Sequence, residues 1–208
     1  IGLVGSALEE EVVNQHVLVL VGGQGIGKTT WLNSLCPKEL KNYVYNGSVN
    51  PSDKDSLIML SESLIINIDE LEALGKKQME QLKELITKEN VRVRRPYGRI
   101  ADNMPRRASF CASLNSGEFL NDPTGSRRFL VQQTSRINNE HNLDIDQLYA
   151  QALYLYLNNH QYWFTRDEII QINSKNNQFQ VETVEEELLL NYFEPSIDAS
   201  DCKSSTEI

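Results

Sequence analysis

Residues 17 to 32 have the sequence VLVLVGGQGIGKTTWL, in which an apolar run leads into a glycine-rich turn. Its first five residues, Val17 to Val21, are all apolar and predict a buried strand of the kind found in parallel sheets. A glycine-rich turn follows and leads into a helix that we predict from Lys28 to Leu35. The turn fits the pattern G-x-x-x-x-G-K-[ST] and has the strand-to-helix context that this pattern requires.

This turn has the chemistry of a phosphate-binding loop. Glycines let the backbone curl so that its N–H groups face a phosphate, and the start of the next helix adds partial positive charge. We expect Lys28 to reach the β- and γ-phosphates of ATP and the Thr29 hydroxyl to hold Mg²⁺. The predicted nucleotide-binding residues are Gly22, Gly23, Gln24, Gly25, Ile26, Gly27, Lys28, Thr29 and Thr30.

A second apolar strand, predicted from Ser63 to Ile68, ends in two acids. We expect Asp69 to coordinate Mg²⁺, directly or through water, and Glu70 to polarise the attacking water as a general base. Such a pair favours hydrolysis over phosphoryl transfer to a second substrate. The alternative interpretation is a strand followed by an Asp-Glu helix cap.

Two further catalytic candidates follow along the chain. Asn115 ends a predicted strand, where it could orient water against the γ-phosphate or act only as a turn former. Arg127 and Arg128 come from a turn onto the next predicted strand, which begins at Arg128. An exposed arginine here could enter a neighbouring subunit's site and stabilise transition-state charge, or it could pair with a nearby acid. Because adjacent strand residues point to opposite faces, one of the two faces outward, and we favour Arg128.

Length and composition limit the class of protein. A chain of 208 residues with 40% hydrophobic and 24% charged residues has the composition of one ordinary globular domain. The longest purely apolar run, Val17 to Val21, has five residues, whereas a membrane span needs about 20, so we expect no membrane segment. Three cysteines without metal-ligand spacing predict reduced thiols and a cytoplasmic location.

The charge is unevenly distributed. A net charge of -9 argues against a protein that coats nucleic acid in general. Between Lys88 and Arg107, however, seven basic residues stand against two acidic ones, which gives this segment a charge of +5. A local basic stripe on an acidic body is typical of a directed anion site. The alternative is a solvated hairpin whose arginines pair with nearby acids.

Strands that alternate with helices predict an α/β fold with a mostly parallel central sheet flanked by helices. We divide the chain into a P-loop ATPase core at 1–140, with a basic hairpin near 91–107, and a helical part of the same domain at 141–194. Residues 195–208 are predicted to be a linker toward a missing downstream domain. The start at Ile1, without Met, suggests a piece of a longer protein.

The order of these motifs resembles the virulence-associated protein E family. Its members are P-loop ATPases close to the superfamily 3 helicases and to primase-helicases of phages and mobile elements. The resemblance runs from about Val17 to Glu194, and the strings that carry it are GGQGIGKTTWL, INIDELEAL, RVRRPYGR and FLNDPTGSRRF. It implies an AAA+-like core, a homo-oligomeric ring that is often hexameric, ATP hydrolysis at subunit interfaces and action on DNA.

The resemblance also implies that the basic hairpin lines the channel of the ring. Arginine binds phosphates and tyrosine stacks on bases, so single- or double-stranded DNA is the expected partner. The matching residues are Arg92, Arg94, Arg95, Tyr97 and Arg99.

We therefore expect a ring-forming, DNA-dependent ATPase of the helicase type that hydrolyses Mg·ATP in the replication of a mobile element. The main alternative is an ATP-dependent switch that binds nucleotide and a protein partner without moving on DNA. A nucleotide or small-molecule kinase is disfavoured, because the two acids suit water activation and no acceptor-binding lid is apparent.

Overall fold

The computed structural model describes residues 1–50, 53–69, 71–94, 99–115, 117–120, 126–181, 188 and 192–193. The strands in this part of the chain are β1 (Val17–Val21), β2 (Val44–Gly47), β3 (Ile65–Ile68), β4 (Asn90–Val93), β5 (Asp102–Pro105), β6 (Ser109–Leu114) and β7 (Phe129–Gln133). The α-helices are α1 (Gly2–Leu8), α2 (Lys28–Ser34), α3 (Lys54–Glu62), α4 (Lys76–Thr87), α5 (Ile145–Leu157) and α6 (Arg166–Asn176).

Five of the strands form one sheet in the order β2-β3-β6-β1-β7. Every neighbouring pair in it is parallel. The prediction of an α/β fold with a parallel central sheet flanked by helices is therefore confirmed. β6 lies between β1 and β3, so the strand that precedes the glycine-rich turn is separated from the strand that precedes Asp69 by one neighbour.

The sheet has an apolar layer on each face. Val17, Val19 and Val21 belong to the larger core cluster, which also holds the buried face of α4. Leu20 belongs to the smaller cluster, together with Leu32 of α2. Alternate residues of β1 thus enter opposite layers, which is why its sequence is apolar without interruption.

The basic segment does form a hairpin, in which β4 and β5 pair antiparallel. Val91 and Val93 are buried in the larger core cluster, whereas Arg92 and Arg94 between and after them are exposed. This alternation places one face of β4 on the core and the other in solvent. Arg95 and Tyr97 lie outside the described residues.

Two α-helices, α5 and α6, follow β7 in the described part of the chain. α6 begins with a capping box, in which Thr165 N donates to Glu168 Oε2 at 2.7 Å and Glu168 N donates to Thr165 Oγ1 at 3.3 Å. At its other end, the buried Asn176 Nδ2 donates to the carbonyls of Ser126 and Phe129 at 2.8 and 2.9 Å. These bonds attach α6 to the beginning of β7. No helix among the described residues is long and apolar enough to cross a membrane.

Candidate functional site

The carboxyl ends of the parallel strands bring the predicted site residues to one edge of the sheet. β1 ends directly before Gly22, β3 before Asp69 and β6 before Asn115. Ligands of parallel α/β sheets bind outside this edge. Asp69, Asn115 and the glycine-rich turn are far apart in sequence, and the sheet order alone makes them neighbours.

Residues 22–27, here called the glycine loop, need glycine for two different reasons. Gly25 and Gly27 have φ angles of 81° and 89°, in the left-handed region that glycine tolerates best. Gly22 has a steric reason instead, because a Cβ atom there would lie 2.1 Å from the carbonyl oxygen of Thr134. The loop therefore has the curled backbone that its sequence predicted.

Lys28 is nearly buried, with 7% of its surface exposed, and its ammonium group lies against the loop. Nζ donates to the carbonyls of Gly22 and Gly23 at 2.7 and 2.8 Å. A third bond, of 3.2 Å, goes to Asn115 Oδ1. A positive charge is thus fixed between the glycine loop and the end of β6, where an anionic group on the loop would meet it.

Thr29, the predicted metal ligand, lies against β6 as well. Its Oγ1 is 3.0 Å from Ser113 Oγ, a residue that the sequence analysis did not select. Ser113 follows Ala112, which pairs with Ile68 of β3, so that Asp69 and Ser113 are the next positions on neighbouring strands. Thr29 thus contacts the position of β6 that lies beside Asp69 in the register of the sheet.

Asp69 influences the ionisation of Cys111, a buried residue of β6. Burial raises the pKa of the Cys111 thiol to about 12, and the Asp69 carboxylate adds to that shift. Cys111 is two residues before Ser113 on β6 and therefore shares its face. A protonated, buried thiol is inert.

The oxygen atoms of Thr29 and Asp69 suit Mg²⁺ and do not form a complete metal cage. Within the described part of the chain, no cluster of three or more His, Cys, Asp and Glu side chains could hold a metal. Mg²⁺ is usually bound through one or two carboxylates together with substrate phosphates, so a hydroxyl and a carboxylate beside a phosphate loop fit this ion. Glu70, the predicted general base, lies outside the described residues, and its role stays a prediction.

The glycine loop is accessible from solvent. Gly23, Gln24, Gly25 and Thr30 are exposed, and Ile26 is half-buried. A cavity of about 550 Å³ adjoins the loop and has hydroxyl, carboxamide and backbone groups in its wall. Its lining residues are Val21, Gly22, Gly23, Asn115, Gly117, Gln133, Thr134 and Ser135.

The predicted arginine finger lies far from the glycine loop of its own chain. Arg127 and Arg128 occupy a 3-10 turn, Ser126–Arg128, at the start of β7, whereas the glycine loop follows the end of the parallel strand β1. They line a cavity with Gln15 and His16, which precede β1. The prediction that the strand begins at Arg128 was wrong, since β7 begins at Phe129. Arg127 is the exposed residue of the two, and Arg128 is half-buried.

One residue of the basic stripe is not on the surface. Arg106 is fully buried, and its guanidinium donates to the carbonyls of Ala108, Ile86 and Asn14. It also lies over the ring of Phe110, 5.0 Å from the centroid. Burial lowers the pKa of Arg106 to about 9, which leaves it protonated at neutral pH. The basic surface therefore has fewer arginines than the sequence suggested, because Arg106 is buried and bonds backbone carbonyls.

The hairpin still presents arginines to solvent. Arg92, Arg94 and Arg99 are exposed, as expected for residues that meet a large anion. Arg107 bonds the carbonyl of Ala7 at 3.3 Å and lies 3.6 Å from a carboxylate oxygen of Glu10. Arg107 thus pairs with a nearby acid, which was the alternative interpretation of the basic segment.

Comparison with known proteins identified a family and structures that share the fold. The model of the virulence-associated protein E-like domain matches residues 1–181. No curated protein matches the sequence. An apo structure of the NrS-1 C-terminal region (305–718) is similar, with 16% identity, a TM-score of 0.50, and coverage of 93% of this chain and 46% of that one. A second structure of that region, its A form, has 16% identity, a TM-score of 0.49 and coverage of 91% and 44%.

The chain spans less than half the length of these NrS-1 structures. At this identity, the first of them shows that the two proteins share a fold and nothing more. The family rests on the match to residues 1–181, which is most of the chain.

Proposed function

This chain belongs to the virulence-associated protein E-like domain family, and we propose that it hydrolyses Mg·ATP as the P-loop core of a ring-forming, DNA-dependent ATPase of the helicase type. The observation that carries the proposal is the position of Lys28, whose Nζ bonds both the glycine loop and Asn115. A nearly buried ammonium group between a curled glycine loop and a polar strand end is suited to bind a polyphosphate.

The residues around Lys28 divide the work of binding. The N–H groups of the glycine loop face the phosphates, and Lys28 neutralises charge on the β- and γ-phosphates. The hydroxyl of Thr29 and the carboxylate of Asp69 would hold Mg²⁺. Bound there, Mg²⁺ supplies the positive charge that stabilises the phosphate oxygens during hydrolysis.

Water activation falls to residues at the ends of β3 and β6. Asn115 can hydrogen-bond the γ-phosphate or the attacking water through its carboxamide, which is exposed at the site. Glu70, directly after Asp69, accepts the proton of that water. Both roles need only groups that follow neighbouring strands of the sheet.

The ring and its DNA contact extend this proposal beyond one chain. Because Arg127 and Arg128 are at the opposite edge of the sheet from the glycine loop, they can assist hydrolysis only in a neighbouring subunit. The exposed Arg92, Arg94 and Arg99 would bind the DNA backbone from the β4–β5 hairpin, together with Arg95 and Tyr97. The surrounding organisation would be a core at 1–140, helices at 141–194 and a linker at 195–208.

We place this activity in the replication of a mobile element or phage, in keeping with the family resemblance. Such a role is cytoplasmic, where the buried free thiols Cys36 and Cys111 stay reduced.

The proposal is tested by Mg²⁺-dependent ATP hydrolysis of Lys28→Ala beside Lys38→Ala, a variant of an exposed lysine that leaves the glycine loop unchanged. We expect Lys28→Ala to lose turnover by about 100-fold or more and Lys38→Ala to retain it. Circular dichroism should show both variants folded. Normal turnover by Lys28→Ala would refute the assignment of the site.

A further inference from the structure

The chain continues from β7 across the nucleotide site. Residues 134–143, here called the β7 extension, begin with Thr134, whose N and Oγ1 both donate to the carbonyl of Val21 at 2.7 and 3.1 Å. Val21 is the last residue of β1 and directly precedes the glycine loop. The β7 extension is thus attached to the loop at its first residue.

A second attachment holds the other end of this segment on α2. His141 Nε2 lies 2.9 Å from Ser34 Oγ, in the last turn of that helix. Between the two attachments, Ile137 packs against the smaller core cluster, which contains Leu32 of α2. The β7 extension therefore follows α2 along its length, and its middle is held beside the glycine loop.

Asn139 is the residue of this segment that reaches the loop. A Cβ atom on Gly27 would lie 1.9 Å from Asn139 Nδ2 and 3.0 Å from its Cγ. The carboxamide therefore rests on the last glycine of the loop, in space that any other residue at position 27 would fill. The side chain is otherwise exposed, so it remains available to a ligand.

The sheet order gives the direction in which a bound nucleotide would run. Asn115 extends β6 and the β7 extension continues β7, and these two strands flank β1 on opposite sides. If Lys28 and Asn115 meet the γ-phosphate, the remainder of the nucleotide crosses the glycine loop away from β6. The nucleoside would then arrive at Asn139.

We propose that Asn139 contacts the nucleobase and makes the site prefer adenine over guanine nucleotides, a role that rests on the proposed function. A carboxamide carries one acceptor and one donor, which match the N6 amino group and N7 of adenine. Guanine presents two acceptors, O6 and N7, on the same edge and cannot satisfy the carboxamide oxygen.

The test is equilibrium binding of ATP, GTP and inorganic tripolyphosphate, each with Mg²⁺, to the unaltered chain and to Asn139→Ala. The matched control is Asn142→Ala, an exposed asparagine of the same segment. We expect Asn139→Ala to weaken ATP binding about tenfold and to bring the ratio of the ATP affinity to the GTP affinity toward one. The affinity for tripolyphosphate should not change. Asn142→Ala should behave as the unaltered chain does.

Three results would overturn the inference. If Asn139→Ala kept the original ATP affinity and the original ratio of ATP to GTP affinity, Asn139 would not contact the base. A parallel loss of ATP and tripolyphosphate binding would instead place Asn139 on the phosphates. An unaltered chain that binds none of the three ligands would refute the proposed function itself, and the inference with it.

Discussion

Lys28 Nζ donates to Asn115 Oδ1 over 3.2 Å, although 87 positions of sequence separate the two residues. One belongs to the glycine loop motif and the other to the end of β6, and the parallel pairing of β1 with β6 brings them together. The bond connects the group that would neutralise the phosphates with the group that would place the water. This hydrogen bond places Lys28 and Asn115 in the same site.

The role of Asn115 can be distinguished from that of Lys28 by measuring turnover and ATP affinity separately. Asn115→Ala should lower the rate of ATP hydrolysis about 100-fold while ATP affinity changes little, because Lys28 keeps its two bonds to the loop carbonyls. Asn115→Asp should also weaken ATP binding, since a carboxylate there repels phosphate. Single-turnover hydrolysis and equilibrium binding distinguish the two effects, with the exposed Asn103→Ala as control. Equal turnover of Asn115→Ala and the unaltered chain would contradict this role.

Ser113 should act on the metal through Thr29. Without its hydroxyl, Ser113→Ala leaves the Thr29 hydroxyl free to rotate away from Mg²⁺, so the Mg²⁺ concentration for half-maximal hydrolysis should rise about tenfold. Turnover at saturating Mg²⁺ should be nearly normal, and Ser113→Thr should restore the Mg²⁺ dependence. A Mg²⁺ titration that is the same for Ser113→Ala and the unaltered chain would show that this hydroxyl only packs.

We expect Arg106 to contribute to the stability of the fold and not to DNA binding, because it is buried. Arg106→Leu leaves the carbonyls of Ala108, Ile86 and Asn14 without their donor in a buried place, which should cost about 3 kcal/mol of unfolding free energy. Urea denaturation measures this loss. The exposed Arg99→Ala serves as the control and should leave the midpoint unchanged. An unchanged midpoint in Arg106→Leu would mean that the buried bonds contribute nothing to stability.

Arg127 should act across a subunit interface. Arg127→Ala and Lys28→Ala should each be inactive alone, since one lacks the finger and the other lacks the phosphate contact. Mixed in equal amounts, they should recover activity at about a quarter of the interfaces, where an intact loop meets an intact arginine. The ATPase rate of the mixture measures this recovery. Failure to recover activity in a mixture that forms rings would exclude Arg127 as the finger.

The sequence was sufficient for the elements whose local pattern and burial agree. The uninterrupted apolar run of β1 predicted a strand buried on both faces, and Gly25 and Gly27 after it have the φ angles that a curled loop needs. The capping box of Thr165 and Glu168 likewise follows from four consecutive residues, TRDE. In each case, residues close in sequence supply the whole physical reason.

Residues whose environment is built from distant segments could not be found in this way. Arg106 looked like part of a surface stripe, because nothing nearby shows that three carbonyls from separate segments surround it. Asn139 carries no motif, and only the path of the β7 extension places it on Gly27. Ser113 is an intermediate case, since its spacing of two from Asn115 puts both on one strand face and could have suggested it.

The steady-state rate of Mg·ATP hydrolysis across a titration of single-stranded DNA at low salt tests the DNA-dependent ATPase activity, with Lys28→Ala as the inactive reference. We expect turnover that rises with DNA, saturates and is absent from Lys28→Ala. Turnover that is present but indifferent to DNA would contradict the DNA-dependent ATPase and would favour the ATP-dependent switch.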